Sequence, residues 1–173
     1  ETGLFVEEKY YDRNLWEAFV PAAEQWERVW NVLGNGKLDL IILPENAFPF
    51  GAHRPFCWLE EIEEKWKKRY GEHADVDFPP LRAPFAVPYE WKGGIHWRIT
   101  NAFLAQSLAN HYQAAVIIGL NAEDRDGKYN AAFQFSPGNR DPQRCEKRIL
   151  APVGEYVPCK GVHWIAKGIA KEF

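Results

Sequence analysis

Leu40-Ile41-Ile42-Leu43 is followed at once by Pro44 and Glu45. This string constrains the fold more than any other. A short, continuous run of branched apolar residues suits a strand buried on both faces, in a sheet covered by other layers. Proline has no N–H to give to a ladder, so Pro44 is expected to stop the strand. Glu45 then stands at the end of a buried element. A carboxylate there is costly to desolvate unless it is paired or used in chemistry. Two readings stay open: an acid that reaches solvent or a nearby lysine, and a general base held on a rigid strand.

Periodicity sets the neighbouring elements. Ala22, Trp26, Val29, Trp30 and Leu33 share one helical face, with Pro21 suited to the first turn and Gly34 and Gly36 to the end. Leu59, Ile62, Trp66 and Tyr70 mark a second amphipathic helix. Its acids come first (Glu60, Glu61, Glu63, Glu64) and its bases last (Lys65, Lys67, Lys68, Arg69), the order a helix dipole favours. Pro79, Pro80, Pro84 and Pro88, with Gly93-Gly94, then make a stretch too proline-rich for a central strand. Residues 51–98 are therefore expected to be an insertion over the domain edge, irregular beyond its helix and placed to cover a site. Trp58, Trp66, Trp91 and Trp97 are read as packing residues.

Thr100 is suited to cap a third helix carrying Phe103, Leu104, Leu108 and Tyr112. Residues 114–120 form a second buried-strand candidate. Asp126-Gly127 signals a hairpin turn, and Tyr129, Ala131, Phe133 and Phe135 then alternate with polar or small residues. Ser136-Pro137-Gly138-Asn139 turns the chain into a last strand over residues 144–150. Val162, Ile165 and Ile169 have helical spacing, with Lys167 and Lys171 four apart. A surface helix is expected there, with a membrane-surface segment as the alternative. The fold class is α/β.

Composition removes several functions. The 173 residues, 46% hydrophobic and 15% aromatic, supply one packed domain rather than a disordered chain. The net charge of −3 leaves no electrostatic footprint for nucleic acid, so no nucleic-acid partner is expected. No apolar run reaches the ~20 residues that a bilayer span needs. The three cysteines, Cys57, Cys145 and Cys159, form no CxxC pair, and the five histidines form no HExxH. They outline neither a disulfide framework nor a metal site, and no cofactor is expected.

A second signal lies in Cys145-Glu146-Lys147-Arg148-Ile149-Leu150-Ala151-Pro152-Val153-Gly154-Glu155-Tyr156-Val157-Pro158. Lys147 sits in a strand pattern. Such a lysine is often a snorkelling edge residue, and it can also be a cation held beside Glu45 to stabilise an oxyanion. Glu155 adds another acid after the strand. Together these residues make a coherent acyl-transfer set: a base, a cation and an orienting acid.

Leu-Pro-Glu at a strand end, Tyr129-Asn130-Ala131-Ala132 in a hairpin, and a strand with Lys147 followed by Leu150 resemble the carbon–nitrogen hydrolase (nitrilase) superfamily. Ala-Pro-Val-Gly-Glu-Tyr-Val-Pro resembles, more narrowly, a loop of the apolipoprotein N-acyltransferases. The resemblance runs from about Pro21 to the end, interrupted by residues 51–98. It implies a partial nitrilase-like αββα sandwich with an inserted segment, and a Glu–Lys–Cys triad. Glu45 matches the general base, Lys147 the triad lysine and Glu155 the additional glutamate. The implied partners are a phospholipid acyl donor, the N-terminal amine of an apolipoprotein, and a bacterial inner membrane reached through a transmembrane region not in the chain. The implied catalytic domain faces the periplasm.

The family's cysteine lies on a strand-to-helix elbow beyond the glutamate loop, a context that Cys159 does not have. The family's opening strand is missing or short, Cys145 stands where an aromatic is common, and residues 51–98 exceed the usual length there. The chain is thus expected to be a piece of a catalytic domain, inactive alone. Two alternatives remain: a soluble amidase hydrolysing a small amide, and a non-catalytic α/β module in which Glu45 and Lys147 form a structural pair.

Overall fold

The computed structural model describes residues 15–45, 48–124 and 127–148. Helix α1 (Leu15–Leu33) places Trp26 and Trp30 in the core, and Gly34 ends it with a φ of +64°. It begins six residues before Pro21, so the proline stands in the second turn rather than the first and removes one ladder bond there. Arg69 donates to the Trp30 carbonyl near the end of α1 and satisfies an acceptor that has no partner within the helix.

Strand β1 (Leu40–Glu45) follows. Next come β2 (Cys57–Trp58), α2 (Leu59–Tyr70), a 3₁₀ turn (Ala74–Asp77), β3 (Ala86–Trp91) and β4 (Gly94–Ile99). Helix α3 (Asn101–Tyr112) leads into β5 (Ala115–Asp124), β6 (Gly127–Phe135) and β7 (Gln143–Glu146). One sheet has the order β1-β5-β6-β7, with β1 parallel to β5 and the rest antiparallel. The other has the order β2-β4-β3. The architecture is mixed α/β.

One face of the larger sheet meets the helices. Ile41, Val116, Ile118, Leu120, Phe133 and Phe135 are buried there, against a core that includes Phe103, Leu104 and Leu108 of α3. Thr100 caps α3 by accepting from the Phe103 N–H, as its position predicts. Asn101, fully buried at the start of the same helix, accepts from Trp26 Nε1 at 2.9 Å and donates to the Phe50 carbonyl at 2.7 Å. This one amide joins α1, α3 and the segment after β1.

Three expectations need correction. First, among the described residues β1 is an edge strand and is not buried on both faces: Leu40 is 47% and Ile42 67% exposed. A continuous apolar run records that both faces are apolar, and whether both are covered depends on what packs there. Second, Pro44 does not stop the strand. The ladder skips it, pairing Leu43 with Ile118 and Glu45 with Gly119. A bulge absorbs the missing donor at an edge, where the other side of the strand needs no partner.

Third, residues 51–98 are ordered and share the core. Trp66 on α2 is fully buried, stacks edge-on against Trp30 and donates to the Ala74 carbonyl at 3.0 Å. Ala52 N–H bonds to the Asn121 carbonyl at 2.8 Å, so the segment is stitched to β5 from its start. Pro88 does lie in a strand, but β3 is an edge, where a proline is tolerated. Trp91 is 52% exposed and so is not a core packing residue.

Candidate active site

In the larger sheet β1, β5 and β7 run the same way, so their carboxyl ends share one edge. Ligand sites in open α/β sheets favour that edge. Ladder register then fixes which residues are neighbours on the face turned away from the helices. One row reads Glu45, Gly119, Ala132 and Cys145. In the next row Asn121 opposes Asn130, and Lys147 N–H donates to the Asn130 carbonyl at 2.8 Å. Strand β7 ends at Glu146, short of the expected residue 150, yet this bond keeps Lys147 in the row.

Gly119 makes the meeting possible. A Cβ on it would lie 2.7 Å from Glu45 Cα and 3.2 Å from Glu45 Cβ. Without that side chain the bulged end of β1 settles onto β5, and the Glu45 carboxylate lies across the sheet toward β6. Asn130 Nδ2 donates to Glu45 Oε1, and Lys147 Nζ lies 3.6 Å from the same oxygen. The side chains of Lys147 and Glu45 are 35% and 48% exposed, open to an incoming reactant.

The structure thus brings Glu45 and Lys147 together. Glu155 lies outside the described residues, as do Asp126, Cys159 and the 162–169 segment. Asn130 enters the sequence reading only within the Tyr129-Asn130-Ala131-Ala132 hairpin, with no role of its own. Asparagine is disfavoured in strands, and Asn121 and Asn130 both stand in them, directly opposed. That oddity was the available signal.

The thiols divide by environment. Cys57 is buried, and desolvation, reinforced by Glu61, pushes its thiol well above the ordinary range. It is unsuited to attack. Cys145 is exposed, but it lies three strands from Glu45, about 14 Å along the ladder. Among the described residues no three His, Cys, Asp or Glu side chains are grouped to hold a metal ion.

Comparison with known proteins gives one consistent result. A Chlamydia trachomatis (serovar D) apolipoprotein N-acyltransferase is 31% identical over 125 residues, covering 70% of this chain and 19% of that protein. Over most of its length the chain is similar to apolipoprotein N-acyltransferases. The protein of that name from Chlamydia pneumoniae is 28% identical over 140 residues, 77% of this chain and 22% of its own length. The apolipoprotein N-acyltransferase of Chlamydia caviae is 28% identical over 148 residues, 82% of this chain and 24% of its own length. The chain therefore spans about a fifth of the length of the curated N-acyltransferases it matches. No family model matches it, and no solved structure does. Among the described residues no helix is long and apolar enough to cross a membrane.

Proposed function

We propose that this chain carries the glutamate and lysine of an acyl-transfer site of the carbon–nitrogen hydrolase type, in a partial nitrilase-like αββα sandwich into which residues 51–98 are inserted. In this reading the polypeptide it belongs to moves an acyl chain from a phospholipid, through a cysteine thioester, to the α-amine of a diacylglyceryl-cysteine on an apolipoprotein. It works at a bilayer, from the periplasmic side of a bacterial inner membrane. The observation that carries the reading is the approach of Lys147 to Glu45 at the carboxyl edge of the sheet. The names of the Chlamydia relatives favour acyl transfer over hydrolysis of a small amide.

Each group then has a chemical task. Glu45 takes the proton of an incoming thiol, and the thiolate attacks the ester carbonyl of the phospholipid. Lys147 stabilises the oxyanion that forms. The lysophospholipid alkoxide leaves with the proton, and a thioester remains. The apolipoprotein amine opens the thioester, passes its proton to Glu45 and restores the thiol. Asn130 fixes the carboxylate while this happens, and Glu155 is the additional glutamate that the resemblance implies. Of the two described cysteines, Cys57 is buried and Cys145 is too distant, and the resemblance puts the thiol on a strand-to-helix elbow beyond the glutamate loop.

A purely structural role for the pair has weak support. An exposed ion pair contributes about 0–1 kcal/mol, so the pair adds little to the stability of the sheet. The test is acyl-enzyme formation by the polypeptide containing this chain, using phospholipid labelled in its acyl chain and hydroxylamine to release the label. Glu45→Gln is expected to abolish labelling. Lys147→Met is expected to slow it roughly 100- to 1000-fold, the effect of removing an oxyanion donor. Labelling of Glu45→Gln at the wild-type rate removes Glu45 as the base. Ammonia release from small amides, with no labelled enzyme, replaces the transferase by an amidase.

A further inference from the structure

The β3–β4 hairpin projects from the body of the protein. From Val87 to Trp91 every residue of β3 is exposed, and β4 opens with exposed Gly94 and Ile95. Lys92 and Gly93 form a two-residue turn with φ values of +49° and +77°. A ribbon in solvent on both sides is expected to be polar, because exposed strand edges with apolar side chains recruit other chains. This one instead leaves Tyr89 51%, Trp91 52% and Ile95 65% exposed.

Register separates the two faces of the ribbon. Tyr89 opposes His96 and Trp91 opposes Gly94, and Trp58 of β2 lies on the same face, 5.6 Å from the Tyr89 ring and 6.4 Å from that of Trp91. Two cations rest on these aromatics: Lys92 Nζ lies 4.8 Å from the Trp91 ring centre and the Arg98 guanidinium 5.4 Å from that of Trp58. His96 contacts Glu60 at 3.1 Å. On the opposite face Glu90 opposes Ile95.

Apolar side chains exposed on both faces of the ribbon, Tyr89 and Trp91 on one and Ile95 on the other, fit a fluid better than a folded partner, which covers one face at a time. Tryptophan and tyrosine, with apolar bodies and polar tips, settle between lipid headgroups and acyl chains. Lysine and arginine do so with their stems in the apolar layer and their charges among the phosphates. We propose that the tip of this hairpin, from Tyr89 to Ile95, dips into the surface of a phospholipid bilayer, with the Lys92 charge held among the phosphates. Glu90 limits the depth to the headgroup boundary. The proposed acyl transfer supplies a use for the contact, bringing the domain to its acyl donor, but the hairpin's surface argues for it independently.

The test is sedimentation of the 173-residue chain with vesicles of phosphatidylglycerol and phosphatidylethanolamine, beside vesicles of phosphatidylcholine alone. The chain is expected to sediment with the anionic vesicles. Trp91→Ser/Ile95→Ser should partition at least about tenfold less, and Lys92→Glu should lose binding to anionic vesicles preferentially. Lipids brominated near the headgroup should quench part of the tryptophan emission, and Trp91→Ser should lose that part. All three positions are exposed, so unchanged thermal melting verifies the fold of each variant. No sedimentation of the wild type, or equal sedimentation of the double variant, overturns the proposal. So does a concentration-dependent dimer abolished by the double variant, which assigns the hairpin to a second copy of the chain. Glu45→Gln should bind vesicles like the wild type, so a failed acyl-transfer reading leaves this result intact.

Discussion

At the tip of β1, a Cβ added to Gly119 would sit 2.7 Å from Glu45 Cα; at the tip of the β3–β4 hairpin, a Cβ on Gly93 would meet nothing within 4 Å. Gly119, within β5, lies beside the end of β1, and Gly93 lies in the turn that joins β3 to β4; the two glycines are used for opposite reasons. Gly119 provides space, so that the backbone of β1 can approach. Gly93 provides a backbone angle, with its φ of +77° closing a turn in open solvent. The same contrast runs through the two sheets. At the larger sheet's carboxyl edge, three strands, a bulge and a cross-strand amide fix one carboxylate. In the smaller sheet, the root is packed into the core and the tip is unconstrained. A group that has to act on a reactant gains from being over-determined, whereas a surface that meets a fluid does not need to be.

The largest expected effect tests whether the smaller sheet and its helix are separable from the core. Trp66→Ala removes a fully buried indole from α2 and should cost roughly 3–5 kcal/mol in denaturant unfolding. A loss below about 1 kcal/mol would make residues 51–98 an appendage and break the picture of a shared core.

Next comes the glycine comparison itself. Gly119→Ala should cost about 1–3 kcal/mol by overpacking, and it should carry Glu45 away from Lys147. Gly93→Ala should cost about 1 kcal/mol through its positive φ and leave Glu45 where it is. Equal effects on stability and on Glu45 reactivity would erase the distinction between the two tips.

Smaller still is Glu45→Gln. Its partners are exposed, so stability should change by less than about 1 kcal/mol while acyl-enzyme formation is lost. A large stability loss with activity intact would turn the pair into a structural tie.

The smallest effect is the pH dependence from His53, which joins the two regions by an edge contact with Phe133. Partial burial and the nearby Arg144 charge lower its pKa from 6.5. A histidine whose folded pKa is lowered favours the folded state when neutral. That contribution is whole above pH 6.5 and is lost as pH falls through the folded value. Melting temperature should therefore drop slightly on acidification below pH 6.5, and His53→Gln should flatten the drop. The raised pKa of Glu61 acts oppositely, adding stability as pH falls through its own folded value.

Much of the fold was legible because it is local. The face of α1 bearing Trp26 and Trp30, the Thr100 cap and the alternation of β6 follow from spacing alone, and each stands as read. The stretch after Pro79 was misjudged because prolines forbid a central strand but permit an edge, and strand order is not written locally. The β1 bulge was missed for a related reason: it depends on Gly119, far along the chain. Glu45 and Lys147 were legible as residue types in a familiar pattern, but Asn130 was not, since its amide matters only once β6 lies beside β5.

The sequence by itself determined which residues are apolar, where helices cap and turn, and that a carboxylate ends an apolar run. Those properties belong to a residue and its near neighbours, and they survive without a partner. Only the tertiary structure decided that the carboxylate meets Asn130 and Lys147, that one face of β1 stays open, and that Trp91 is outside while Trp66 is inside. Each of these depends on which strands lie side by side. The register that aligns Glu45 with Gly119 is fixed by the packing of residues far apart in the chain.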